Sequence, residues 1–195
     1  MNRDQTAEML LAVARTEFLC YGFEGTDVTR IARSSGVAPN TFYRFFKDKT
    51  AAFVAVYLDW AAEERCALEW LIRRPGSIND CVSDLIAIHS RHPFFRRSLR
   101  RLAHEDRHVG KAVADARLMT LRVLRNWLGA ACPDLAVLAA DLIQLEFLAV
   151  AMAEGDVRAM DMEDVALRER AAAIFMRWRV RPALEQASEA TPLRA

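Results

Sequence analysis

Two stretches of this 195-residue chain carry side chains whose types and spacing can do chemistry. His104-Glu105-Asp106-Arg107-His108 has the HExxH pattern, in which two histidines one helical turn apart bind zinc and the glutamate acts as base. Its flanks do not complete such a site. The longer form of the motif asks for a glycine and a third histidine where Lys111 and Ala114 stand, no Glu lies between Arg107 and Arg125, and Gly110 marks the end of the helix. A zinc metallohydrolase is therefore the disfavoured alternative, and no catalytic residue, metal ligand or cofactor is assigned. His104 and His108 keep the lesser option of holding a ligand or a regulatory metal, as do His89 and His92, three residues apart.

The second stretch is TDVTRIARSSGVAPNTFYRFFKDK, residues 26 to 49. Asp27 is placed to cap a short helix from Val28, whose Val28, Ile31 and Ala32 form one apolar face. Gly36 stops that helix, and Val37 plugs the angle to the next. Pro39 suits the first turn of a second helix, in which Phe42, Phe45 and Phe46 make the apolar stripe. The remaining side chains of this helix-turn-helix face outward. Asn40 and Thr41, at the start of the second helix, are at the end that reaches base edges, and Thr29 on the first helix can approach the groove. Tyr43 is expected to meet phosphate through its hydroxyl, Lys49 through its charge at a helix N-terminus, and Arg44 to serve either purpose. Five basic residues against one acid between Val28 and Lys49 favour a polyanion. A helical hairpin with a solvated basic face, in an interaction module that binds no DNA, is the bland alternative.

The residues Ala14, Phe18, Gly22, Thr26, Ile31-Ala32, Gly36-Val37, Thr41-Phe42-Tyr43, Phe46 and Lys49 stand in an order and spacing that resembles the DNA-binding region of the TetR (tetracycline-repressor-like) family. The resemblance covers about a quarter of the chain. It implies an all-helical, homodimeric, ligand-responsive repressor, and DNA contacts at most of the positions just named. At the position before Phe46 the family often carries a phosphate-approaching histidine, and this chain has Phe45.

Composition narrows the remainder. A net charge of +1 argues against indiscriminate nucleic-acid binding, so DNA contact must come from a local patch. Four cysteines (Cys20, Cys66, Cys81, Cys132) lie far apart with no CxxC and suit buried or free thiols in a reducing cytoplasm. The N-terminus is too polar for a signal peptide, and no uninterrupted apolar run approaches the 18 residues or so that a membrane span needs.

The elements that position these residues read as all-α: a three-helix headpiece over residues 1–49 and a helical ligand-binding and dimerisation domain over 50–190. A bracing helix is expected from Asp4 to Cys20. A long connecting helix capped by Asp48 runs through Ala51–Ala62, apolar almost all round and so covered on more than one side. Ser77 caps the next helix, with Ile78, Val82, Leu85 and Ile88 inward, and Pro93 opens another with Phe94, Phe95, Leu99 and Leu102 apolar. A helix from Lys111 to Ala131 buries Val113, Leu118, Leu121, Leu124 and Leu128. Leu135–Met152 and Asp161–Gln186 carry more apolar surface than one core needs, which predicts a homodimer through these two helices. Residues 185–195 read as a frayed tail. An effector pocket has no signature of its own. Trp70, Phe94, Phe95, His104, Met119 and Trp127 are the candidates for it, and a composition more than half apolar favours a largely apolar small molecule.

Overall fold

The structure is a computed structural model that describes residues 3–189, with side chains placed for all of these except Ala131 and residues 180–189. The tail expected from residue 185 falls mostly outside this range, and the backbone stays helical to Glu189. The dimer segment's side chains beyond Arg179 also lie outside the described residues. The fold is all-helical, with no strand among the described residues. Two compact units divide the chain, and neither is one continuous stretch. Unit 1 takes Met1–Glu64 and His92–Arg117; unit 2 takes Arg65–Arg91 and Leu118–Ala195.

Unit 1 holds α1 (Arg3–Tyr21), α2 (Val28–Ser34), α3 (Pro39–Phe42), the first part of α4 (Lys49–Arg73), α6 (Pro93–Glu105) and the first part of α7 (Arg107–Leu128). Residues 1–49 do not close on themselves, because α6 and the opening turns of α4 and α7 complete their core. Leu10, Ala14 and Phe18 of α1 meet Ile31, Phe42, Phe53, Val56, Trp60, Phe95, Leu102 and Val109. Phe53 sits edge-on to Phe18 at 5.2 Å and tilted against Phe95 at 5.0 Å, while Trp60 meets Phe95 edge-on at 5.3 Å. Such pairs add about 0.5–1.5 kcal/mol each beyond their area. Asp48 caps α4 as expected, its Oδ1 accepting from Ala51 N–H at 2.7 Å. Ala52, Phe53, Val56, Tyr57 and Trp60 bury one face of α4, whereas Leu58 is exposed, so this helix is covered on one side rather than all round.

The junction after α6 differs from the sequence expectation. The chain breaks at Asp106, which is extended and whose Oδ1 accepts from His108 and Val109 N–H at 2.8 and 3.2 Å to start α7. Gly110 lies inside α7, which begins four residues before the Lys111 start read from sequence. It is needed for close approach, since a Cβ there would come within 2.7 Å of the Ala103 carbonyl.

Unit 2 contains the rest of α4 and α7, α5 (Ile78–His89), α8 (Leu135–Glu154) and α9 (Val165–Glu189). Asp161 has φ 55° and ends a short 3-10 turn, so the last helix starts at Val165 rather than at Asp161. Ser77 caps α5 by accepting from Asn79 and Asp80 N–H, and Asp134 caps α8 by accepting from Ala136 N–H at 2.8 Å. The core joins Leu71, Val82, Leu85, Leu124, Leu128, Leu138, Leu142, Leu145, Ile174, Phe175 and Trp178. Cys81 is a free thiol, fully buried, with its Sγ 3.4 Å from the Leu71 carbonyl. Leu118, expected inside, is exposed where the buried stripe of α7 changes register. Arg179 of α9 donates to the carbonyls of Ile72 at 3.0 Å, Gly76 at 3.1 Å and Arg74, so a side chain from elsewhere satisfies the C-terminal end of α4. By length and mean hydropathy of 2.0, α8 is apolar enough to cross a membrane. Its buried face, however, is part of the unit 2 core, and its Asp141 pairs with Arg177 at 2.5 Å.

Candidate nucleic-acid interface

The α2–α3 unit is built by local chemistry. Asp27 Oδ1 accepts from Arg30 N–H at 2.7 Å, and Thr26 Oγ1 donates to the Glu17 carbonyl at 3.2 Å, which ties the start of α2 to α1. The end of α2 is closed by a paired turn: Gly36 N–H donates to Arg33 O and Val37 N–H to Ala32 O, both at 3.0 Å, with Gly36 at φ +67°. Ala38 is extended, Pro39 opens α3, and Thr41 N–H donates to Ala38 O at 2.8 Å. The second helix is a single turn. After Phe42 the chain continues in turn geometry, with Phe45 and Phe46 both donating N–H to the Phe42 carbonyl at 3.0 Å. Only Phe42 is fully buried, and Phe45 and Phe46 pack partly buried beside it.

That anchoring leaves Thr29, Pro39, Asn40, Tyr43 and Arg44 exposed and Thr41 half-buried. Tyr43 is 56% exposed with its ring edge-on to Phe42 at 5.5 Å, so the hydroxyl end is free of the core. The charges divide into two groups that the sequence did not separate. Arg30 is held inside the unit by Glu17 at 2.6 Å and by the Tyr21 ring at 3.9 Å. Lys49, expected on phosphate, is half-buried and donates two N–H groups to the carbonyls of Phe23 at 2.8 Å and Thr26 at 2.9 Å, with its ammonium 3.9 Å from the centre of the Phe23 ring. Burial pushes its pKa below the ordinary lysine value, and Asp27 offsets part of that shift. Arg33, Arg44 and Lys47 are the exposed cations.

The HExxH stretch does not have zinc geometry. His104 ends α6 and His108 begins α7, so the break at Asp106 removes the single helix that the motif presupposes. Glu105 is paired with Arg101. No group of three or more potential metal ligands occurs among the described residues. His89 and His92 likewise fall on either side of a turn, His92 in the left-handed region at φ 54°.

The six effector candidates are divided between the two units. Phe95 is part of the unit 1 core, while Phe94 in the same unit is 55% exposed and His104 is exposed. In unit 2, Trp70 is 54% exposed under the Arg74 guanidinium, and Met119 is exposed. Trp127 borders a polar open groove with Glu69, Arg73, Val123 and Asn126, where Arg73 lies 4.7 Å over its ring. An apolar hollow beside Leu128, Pro133, Val137 and Trp178 has about 40 Å³. That is well below the several hundred Å³ or so of a ligand pocket.

A one-turn helix set by a glycine turn on a three-helix base, with its polar side chains outward, defines a helix-turn-helix regulator. Residues 10–56 match the model of the family described as bacterial regulatory proteins, tetR family. That stretch is a tetR-family DNA-binding region, which supports a DNA-binding transcriptional regulator. No curated protein sequence matches closely enough to count as a relative. Among solved structures, a candidate TetR-family transcriptional regulator from Mesorhizobium loti MAFF303099 is 20% identical with a TM-score of 0.61, covering 91% of this chain and 97% of that one. Salmonella enterica GusR is 17% identical with a TM-score of 0.59, over 92% and 98%. Bacillus subtilis FadR, solved with stearoyl-CoA, is 14% identical with a TM-score of 0.52, over 89% and 98%. These likenesses establish the shared fold.

Proposed function

We propose that this chain is a cytoplasmic, ligand-responsive repressor that binds a near-palindromic operator as a homodimer. The observation that carries the DNA reading is the outward set Asn40, Tyr43 and Arg44 around buried Phe42, with Thr29 exposed on the neighbouring helix. In this reading Asn40 and Thr41 choose the sequence, Thr29 and Pro39 line the approach to the groove, and Tyr43 and Arg44 meet the backbone. Lys49 braces the headpiece rather than binding phosphate, because its donors already serve Phe23 and Thr26.

The dimer reading is supported by the side of α8 turned away from the unit 2 core, where Ile143 and Phe147 are exposed one turn apart, and by exposed Met176 on α9. Phe147, 68% exposed, is the strongest single argument for a covering partner. An effector enters this reading through coupling: it can release the operator only by binding the DNA-free form more tightly, and DNA must then weaken it by the same factor. The stearoyl-CoA held by the FadR neighbour is consistent with a largely apolar effector. Selection of random duplexes by the purified protein, followed by anisotropy titrations at several salt concentrations, tests the reading. Salt-sensitive binding to a two-fold symmetric sequence is expected, and the absence of any preferred duplex would reject it.

A further inference from the structure

Of unit 1, only α6 and the opening of α7 come from chain that has already passed through unit 2. The inward face of α6 contains one polar residue. Ser98, 2% exposed, stands between Phe95 and Leu102 where an apolar side chain would complete the stripe. Its hydroxyl is used across the unit. Oγ accepts from Phe23 N–H at 2.9 Å and donates to Glu24 Oε2 at 2.7 Å. The other side of the same residue is held by α4, whose Lys49 donates to the Phe23 carbonyl at 2.8 Å. Gly22, at φ +71°, permits the approach: a Cβ there would lie 2.8 Å from Ser98 Oγ and 3.0 Å from the Phe94 carbonyl. One turn along α6, Arg101 pairs with Glu24.

The clasped segment leads directly into the DNA reader. Three residues after Phe23, Thr26 is fastened to α1, and Asp27 then caps α2. A buried serine normally satisfies its hydroxyl on its own helix, so one that reaches another segment and supplies both donor and acceptor there is a specific tie. We propose that Ser98 is a positioning residue for DNA reading: through the Phe23 and Glu24 contacts it sets how α2 and α3 leave α1. Any shift of α6 reaches the base-reading side chains at this point. The inference rests on α2–α3 being the DNA reader.

The test uses the full chain as wild type, Ser98→Ala and Glu24→Ala, the last removing the hydroxyl's acceptor at an exposed position. Anisotropy on the selected duplex gives affinity and salt slope, hydrogen exchange follows residues 22–34, and light scattering gives the mass. Ser98→Ala is expected to weaken the duplex roughly five- to tenfold, the factor for about one hydrogen bond. Its salt slope should stay unchanged, with faster exchange at Phe23 and the first turn of α2 and with mass and α8 exchange unaltered. Glu24→Ala should move both readouts the same way by less. Unchanged affinity, with or without faster exchange, overturns the proposal. If Ser98→Ala does not fold, Glu24→Ala decides on the same readouts. A wild type that binds no duplex removes the DNA reading and this inference together, whereas a binding wild type with unaffected variants removes this inference alone.

Discussion

Two lysines two positions apart divide the work of the headpiece. Lys47 is exposed and Lys49 is committed to two carbonyls and an aromatic ring. Lys47→Ala is therefore expected to lower the salt slope of DNA binding by about one. Lys49→Met should leave the slope unchanged while lowering the melting temperature and weakening every sequence alike. A salt series on matched and scrambled duplexes separates the two, and a slope that falls for Lys49 alone would reverse the assignment. Asn40→Ala and Thr41→Ala should each cost roughly 1–3 kcal/mol on the preferred duplex and change the preference. Tyr43→Phe should weaken binding to all duplexes and leave the sequence preference unchanged. Because His104 and His108 sit on different helices, metal analysis after purification without chelator should give well under one zinc per chain. His104→Ala should leave fold and operator affinity intact.

At the scale of elements, α8 has two faces that mutation should distinguish. Leu145 is buried in the unit 2 core, so Leu145→Ala should cost about 2–5 kcal/mol of stability. Phe147→Glu, on the exposed face, should leave the helical content unchanged and shift the light-scattering mass toward the single-chain 22.1 kDa. A dimer that survives this change does not use that face. The start of α9 has its own pH dependence. Arg168 at 3.0 Å, with Arg158 beyond it, holds the Asp164 carboxyl below its ordinary value of 3.8. A depressed carboxyl pKa contributes stability that is present above 3.8 and lost as pH falls through the lowered value. Melting followed between pH 5 and 2 should show a smaller acid-induced drop for Asp164→Asn than for wild type. What was legible beforehand follows the range of the physics. Caps at Asp27, Asp48 and Ser77 act within three residues, and all three appear as read. Gly110 was read as a helix end because its role is set by a partner outside its own helix, the Ala103 carbonyl. Ser98 left one trace, a polar residue on an otherwise apolar stripe.

For the whole molecule, the proposed homodimer's two headpieces, related by a two-fold axis, require half-sites about one helical turn, or a whole number of turns, apart. Inserting about five base pairs between the half-sites of a selected duplex should abolish tight binding, and about ten should restore part of it. The boundary drawn after residue 49 was the natural one for a motif recognised along the sequence, because nothing local announces that Phe95, Leu102 and Val109 close the core beneath it. The order in which the chain is made then matters. Until synthesis has passed α6, Phe18, Phe53 and Trp60 are without the α6 side chains that cover them, so the reading helices are made before the surface that packs beneath them. The unit becomes complete only when the chain has emerged through residue 117, by which time the first segment of unit 2 is also out. A product truncated near the end of the motif would leave Phe18, Phe53 and Trp60 without Phe95 and Leu102, and apolar surface left bare in this way favours association over a stable small domain.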